Sequence, residues 1–77
     1  MAITVRFFAS LREELGQAET EVTYQPDLTV TKVWEQATNR HPTPANMLSA
    51  VNQEYTDGLH PVRDGDEVAF FPPVTGG

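Results

Sequence analysis

Apolar and polar residues alternate in two stretches near the start of the chain. Residues 3–7 alternate Ile, Val and Phe with Thr and Arg, and residues 20–24 repeat the pattern with Val22 and Tyr24 on the apolar side. A period of two is typical of a half-buried β-strand. The sequence therefore predicts two strands, each with one face turned towards a core.

A short helical connection is predicted between these two strands. Ser10 and Glu13 have the spacing of a capping box, in which the hydroxyl and the carboxylate satisfy backbone amides at the start of a helix. Gly16 is placed to end that helix, because glycine readily takes the left-handed conformation of a C-cap. A connection this short indicates an antiparallel pair of strands.

The main helix is predicted to begin after Thr29, which is a plausible N-cap. Pro42 is expected to end it, because the residue before a proline is pushed out of the α region. Arg40 and His41 would then complement the negative end of the helix dipole. The apolar positions of the helix have helical spacing and form one face: Val30, Val33, Trp34 and Ala37.

The second half of the chain indicates further strands joined by turns. Residues 47–51 are apolar enough for a short strand, a turn and a minor strand region follow, and Asp64-Gly65-Asp66 is a tight turn into a last strand that contains Phe70. One helix covering one face of a mixed sheet is the economical arrangement of these elements. The predicted fold is therefore an α+β β-grasp, with the first and last strands as central neighbours.

Two phenylalanines are predicted to point away from the helix. Phe8 and Phe71 each fall on the opposite side of their strand from the core positions. Central first and last strands would place both rings on the same outer face of the sheet. An exposed aromatic residue of this kind is a candidate for a partner contact, although a small satellite cluster would explain it equally well.

Composition narrows the class of partner. The 77 residues suffice for one small domain, and eleven acidic against five basic residues give a net charge of −6. Nucleic acid and anionic membranes are therefore poor partners, and a basic protein is a better one. The chain has no cysteine, no apolar run long enough to span a membrane and no signal peptide, which is compatible with a cytoplasmic location.

The familiar catalytic and metal-binding patterns are missing from the sequence. No glycine-rich phosphate loop is present, and His41 and His60 lack the spacing of metal ligands. Asp64, Asp66 and Glu67 lack the spacing of a calcium loop, and turn formation explains them better. We therefore expect no metal site, and we expect the chemistry, if any, at Gly77.

The last six residues read P-P-V-T-G-G and form a tail distinct from the predicted domain of residues 1–71. Pro72 and Pro73 remove backbone donors and favour an extended chain, so residues 72–77 can reach about 20 Å at about 3.3 Å per residue. Glycine allows the close approach of an enzyme to the terminal carboxylate. A frayed terminus is the plainer interpretation, but such a terminus has no need of stiffening where it leaves the core.

Three segments carry a resemblance to a known family. The strings V-R-F-F-A-S-L-R-E-E-L-G, A-V-N-Q and D-G-D-E-V-A-F-F-P-P-V-T-G-G, at residues 5–16, 50–53 and 64–77, resemble the MoaD family of molybdopterin synthase small subunits. These belong with ThiS among the ubiquitin-like sulfur carriers. The Gly-Gly ending alone is weakly specific, whereas the complete string at residues 64–77 is strongly specific.

The resemblance implies a ubiquitin-like β-grasp and a defined sulfur chemistry. An ATP-using, MoeB-like enzyme would adenylate the Gly77 carboxylate, and a sulfur donor protein would convert it to a thiocarboxylate. The tail, including Gly76, would enter a MoaE-like large subunit and deliver sulfur to cyclic pyranopterin monophosphate, as part of a heterotetramer. The chain would bind no cofactor itself and would not be catalytic alone. The residues implied at the partner interface are Phe8, Tyr55, Phe71, Pro72, Pro73, Val74 and Thr75.

Other functions remain open at this point. A sulfur carrier of this kind can serve thiamine synthesis or tRNA thiolation, although the two prolines favour the molybdopterin branch. A ubiquitin-like protein modifier would use the same activated terminus, and Lys32 is the only lysine available for self-linkage. A pure interaction domain would keep its function without Gly76 and Gly77.

Overall fold

The computed structural model describes residues 2–73, and they form a five-stranded mixed sheet with two helices. The strand order is β2-β1-β5-β3-β4, in which β1 and β5 are parallel and the other neighbours are antiparallel. This confirms the α+β fold and the central position of the first and last strands. The elements in chain order are β1 (Ala2–Phe7), α1 (Ser10–Leu15), β2 (Glu19–Thr23), α2 (Val30–Ala37), β3 (Leu48–Val51), β4 (Glu54–Thr56) and β5 (Glu67–Phe71).

The core lies between α2 and one face of the sheet, and three aromatic rings form its centre. Trp34 of α2 meets Phe70 edge to face, with ring centroids 5.0 Å apart, and meets Phe7 in the same way at 6.0 Å. Phe7 and Phe70 stack on each other from the neighbouring strands β1 and β5. Edge-to-face and offset stacked pairs are the preferred geometries of aromatic rings. The aliphatic core residues around them are Ile3, Val5, Leu11, Val22, Leu28, Val30, Val33, Val51, Val62 and Val68.

The first turn of α2 is capped from two directions. The Thr29 hydroxyl accepts a hydrogen bond from the Lys32 amide at 3.3 Å, which confirms Thr29 as the N-cap. The carbonyls of Gly58 and His60 accept from the amides of Thr31 and Val30, at 3.0 and 3.1 Å. The first amides of a helix have no partner within the helix, so the loop after β4 supplies two of the missing acceptors.

The predicted capping box at α1 is wrong. Ala9 is the N-cap, no side chain caps the helix, and Ser10 is already its first residue. Ala9 has φ 53° and ψ −131°, a conformation that a residue with a Cβ seldom takes. The chain therefore turns sharply at Ala9, with the Leu11 amide donating to the Phe8 carbonyl at 3.2 Å, and no room is left for a separate serine cap. Gly16 ends the helix in the left-handed conformation, as predicted.

Two other boundaries differ from the sequence prediction. α2 ends at Ala37, because Thr38 leaves helical backbone geometry (φ −112°, ψ 6°) and the next two residues, Asn39 and Arg40, take positive φ. The Thr38 hydroxyl donates to the Trp34 carbonyl alongside the Thr38 amide. Arg40 therefore lies outside the last turn, as does His41, and neither complements the helix dipole from within it. β2 ends at Thr23, so Tyr24 is not a core residue and stays 37% exposed.

Candidate functional site

The face of the sheet opposite α2 carries a stacked pair of aromatic rings. Phe8 and Phe71 lie at the ends of the parallel strands β1 and β5, with ring centroids 4.7 Å apart and ring planes within 10° of parallel. The Phe8 amide donates to the Phe70 carbonyl at 3.2 Å, which extends the strand pairing by one residue. Both side chains are half-buried. The structure confirms that these two rings share the outer face.

Two further residues extend this pair towards the sheet edge. The Tyr55 ring lies 6.0 Å from the Phe71 ring and is 73% exposed. Leu48 pairs with Phe71 across β3 and β5, and it is 37% exposed. We call Phe8, Leu48, Tyr55 and Phe71 the outer apolar patch. Exposed apolar residues that cluster in this way mark interaction surfaces more often than isolated ones do.

Leu48 was missed by the sequence reasoning. Burial along β3 does not alternate, because Ser49, Ala50 and Val51 are all buried and Leu48 alone is exposed. The side chain that faces outward, however, depends on the register between β3 and β5. That register pairs residues distant in the sequence, and a shift of one residue would reverse the two faces.

Small residues leave a groove beside the outer apolar patch. Ala50 pairs with Ala69 across β3 and β5, and neither methyl group fills the space above the strands. The groove has a volume of about 210 Å³. Aromatic rings form one part of its wall and polar side chains form the other. Its walls are formed by Arg6, Phe8, Gln53, Tyr55, Glu67 and Phe71.

Charged residues occupy the other half of the outer face. The Arg6 guanidinium lies 3.8 Å from the carboxylates of both Glu19 and Glu67, and 5.4 Å from the centroid of the Phe8 ring. Glu21 pairs with Thr4 one step further along β2, on the same face. Ion pairs this exposed contribute little to stability. Their effect is to give the margin of the apolar patch a net negative charge.

Two of the motifs that carried the resemblance meet in a hydrogen-bonded network. The Asn52 side chain donates to Asp66 at 2.9 Å and accepts from the Glu67 amide at 3.0 Å. The second carboxylate oxygen of Asp66 accepts from the Arg63 amide at 2.8 Å, which closes the turn before β5. We call these contacts the Asn52–Asp66 latch. They support the interpretation of this acidic cluster as turn chemistry, and residues 2–73 contain no group of side chains suited to hold a metal ion.

The contacts of the two histidines are structural. The Trp34 indole donates to the His41 carbonyl at 2.7 Å, and the His41 ring lies 3.6 Å from Glu14 of α1. The His60 carbonyl caps α2, as described above. Neither ring lies in the outer apolar patch or its groove.

The chain leaves β5 directly beside the outer apolar patch. Pro72 and Pro73 follow Phe71, are half-buried and belong to no strand. The remaining residues predicted for the site, Val74, Thr75, Gly76 and Gly77, lie outside the described residues. Within the described part of the chain, neither helix has the length and hydropathy needed to cross a membrane.

Both the sequence and the fold of the chain match known proteins. The family model of the ThiS family matches residues 5–77. The molybdopterin synthase sulfur carrier subunit of Escherichia coli K12 is 44% identical over 80 residues, covering 97% of this chain and 99% of that protein. The human protein of the same name is 30% identical over 82 residues, with 97% and 93% covered. Among solved structures, SAMP1 of Haloferax volcanii superimposes with a TM-score of 0.84 at 26% identity over the full length of both chains.

Proposed function

Because the chain belongs to the ThiS family, and its relatives are named sulfur carrier subunits of molybdopterin synthase, we propose that it carries sulfur for molybdopterin synthesis. In this proposal it is the small, sulfur-donating subunit of a sulfurtransferase and is not catalytic alone. It works in the cytoplasm with a MoaE-like large subunit, a MoeB-like activating enzyme and a sulfur donor protein, and two copies join two large subunits in a heterotetramer.

The proposed chemistry takes place at the Gly77 carboxylate. A carboxylate is a poor acyl donor, so one of its oxygens first attacks the α-phosphorus of ATP on the activating enzyme, and pyrophosphate leaves. A hydrosulfide equivalent from the donor protein then displaces AMP from the acyl carbon and leaves a thiocarboxylate. The thiocarboxylate sulfur is nucleophilic: on the large subunit it displaces an oxygen substituent from a carbon of cyclic pyranopterin monophosphate. Water then hydrolyses the resulting thioester, which leaves the sulfur on the pterin and regenerates the Gly77 carboxylate. This chain binds no cofactor of its own, since ATP is held by the activating enzyme.

The observation that carries the proposal is the position of the outer apolar patch beside the start of the tail. Phe71 belongs to the patch, and Pro72 is its neighbour in sequence. A partner that covers Phe8, Tyr55 and Phe71 therefore holds the beginning of the tail at a fixed place. From there the tail can reach about 20 Å into that partner. The glycines at its end are suited to a narrow channel, because they present no side chain.

The proposal is tested by the intact mass of the protein after incubation with ATP, a MoeB-type enzyme and a sulfur donor. We expect a mass gain that matches one oxygen replaced by sulfur, and fragmentation should place it at Gly77. A variant that lacks Gly77 is the matched control, since it keeps residues 2–73 unchanged. If a competent enzyme set leaves the mass unchanged, the carrier function is wrong.

A second candidate function is protein modification. SAMP1, a small archaeal modifier protein, shares the fold over its whole length. Modification would use the same acyl-adenylate but transfer Gly77 to a lysine amine instead of to sulfur. Tryptic peptides whose substrate lysine carries residues 64–77 of this chain, the fragment that trypsin leaves after Arg63, would favour this function, and the thiocarboxylate mass favours the first. A sulfur carrier that serves thiamine or tRNA thiolation would give the same mass but no molybdopterin when the large subunit and pterin precursor are added.

A further inference from the structure

The groove over Ala50 and Ala69 has the features of a recess for one long side chain. Its floor consists of two methyl groups that face each other across β3 and β5. The rings of Phe8, Tyr55 and Phe71 stand around it, and its volume of about 210 Å³ suits a single residue better than a helix or strand. A long side chain with a flexible apolar stem would pack against this floor.

The polar end of the groove selects a cation. Glu67 lines the groove together with Gln53, so a carboxylate and an amide oxygen are available as acceptors. The Glu67 carboxylate approaches Arg6 only at 3.8 Å, longer than a hydrogen bond, so it can accept a better-placed donor. Arg6 and Glu67 both line the groove and their charges cancel, and Glu19 beside Arg6 brings the charge of the surrounding face to −1. The net charge of the whole chain is −6. Both the local and the global charge therefore favour a basic partner.

The molecule itself shows that this surface accepts a guanidinium group. The guanidinium carbon of Arg6 lies 5.4 Å from the centroid of the Phe8 ring, within the range of a cation–π contact. Tyr55 and Phe71 offer ring surfaces at the same groove. Arginine also forms two parallel hydrogen bonds to a carboxylate, which the ammonium group of lysine cannot do.

We propose that the groove over Ala50 and Ala69 receives an arginine side chain from the docking face of the large subunit, with its guanidinium between the aromatic wall and Glu67. This inference rests on the proposed function, because it assumes that the outer apolar patch docks on that subunit. It also specifies the chemistry of the contact. The outer apolar patch supplies apolar surface that the partner buries, and the groove supplies one charged contact.

The shape of the groove is tested by filling it. We expect Ala50→Leu to weaken binding of the purified large subunit at least about tenfold, since a buried anchor of this kind commonly dominates an interface. Ala2→Leu is the matched control, because Ala2 lies on the same outer face, paired with Thr23, and does not line the groove. Ala69→Leu fills the groove from the other strand and replaces Ala50→Leu if thermal unfolding shows that the latter is misfolded.

The charge of the groove is tested by Glu67→Gln, which keeps the size of the side chain. We expect about a tenfold loss of affinity and a weaker dependence of affinity on salt concentration, because a charge-assisted contact is lost. Glu21→Gln makes the same change of net charge on the same face, outside the groove, and should change affinity less than about twofold.

The outcomes separate the possible errors. Weaker binding by Ala50→Leu together with equal effects of Glu67→Gln and Glu21→Gln would show an apolar anchor and overturn the arginine. Wild-type affinity in all groove variants would overturn the recess itself. Failure of the wild-type protein to bind the large subunit would overturn both this inference and the proposed function, whereas wild-type binding with unaffected groove variants would overturn this inference alone.

Discussion

A single added methyl group at Gly58 tests how closely the loop after β4 packs on α2, because it should lower the stability of the fold. Gly58 lies in the loop that caps α2, and its carbonyl accepts from both the amide and the hydroxyl of Thr31, at 3.0 and 2.9 Å. A Cβ added at Gly58 would meet the Thr31 hydroxyl oxygen well inside contact distance. The Gly58→Ala variant must therefore displace the Thr31 side chain or shift the loop.

The loss of unfolding free energy in Gly58→Ala can be estimated from the Thr31 contacts that the new methyl group displaces. Displacement of the Thr31 hydroxyl breaks one exposed hydrogen bond, worth about 0.5–1.5 kcal/mol, and any rotation away from a favoured rotamer adds about 0.5–1.5 kcal/mol. The lower entropy of the unfolded alanine chain offsets about 0.4–1 kcal/mol. We expect Gly58→Ala to lower the free energy of unfolding by about 1–2 kcal/mol. For a domain of this size, that corresponds to a decrease of roughly 4–16 °C in Tm.

The Thr31→Ala background gives a sharper test, because it removes the atom that the new methyl group would meet. There Gly58→Ala should be neutral or stabilising by up to about 1 kcal/mol, since only the entropy term remains. The Thr31→Val background keeps the bulk but not the hydrogen bond, so the destabilisation should persist. Urea unfolding of the single and double variants measures each free energy. Equal destabilisation by Gly58→Ala in the threonine and alanine backgrounds would refute the steric explanation.

Three further predictions concern the patch, the tail and the latch. Phe71→Ala should weaken binding of the large subunit by about 1–3 kcal/mol in calorimetry, and unchanged affinity would remove Phe71 from the interface. A residue added after Gly77, or Gly76→Leu, should leave Tm unchanged and abolish thiocarboxylate formation; a normal mass gain would contradict a role for the terminal carboxylate. Asn52→Gly keeps a residue suited to φ 50° but removes the side chain that forms the latch. It should lower the free energy of unfolding by about 1–3 kcal/mol. An unchanged free energy of unfolding would show that the latch contributes nothing to stability.

The sequence predicted those parts of the fold that local patterns determine. Residues 3–7 and the apolar face of α2 were placed correctly, because their spacing fixes which side chains share a face. The parity argument for Phe8 and Phe71 also holds, since it needs only the two strands and their neighbouring positions.

The errors arise where a local pattern competes with tertiary contacts. Ser10 fits a capping motif, but the tight turn at Ala9 between β1 and α1 places it inside the helix. The end of α2 was placed too late, because the backbone leaves helical geometry at Thr38 and turns through positive φ at Asn39 and Arg40, before the proline signal at Pro42. Leu48 and the groove depend on the register between β3 and β5, which no local pattern contains.

The conspicuous string at residues 64–77 combines two physical roles at opposite ends of one strand. At the start of β5, Asp66 and the Glu67 amide bond to Asn52, which ties the β3–β4 turn to β5. At the other end of β5, Phe71 stacks on Phe8 and pairs with Leu48. A slip of one residue between β3 and β5 would turn Leu48 inward and Ser49 outward, and it would remove both the patch and the groove. The latch is therefore expected to affect partner binding through register as well as stability, although its atoms lie at the far end of the strand from the patch.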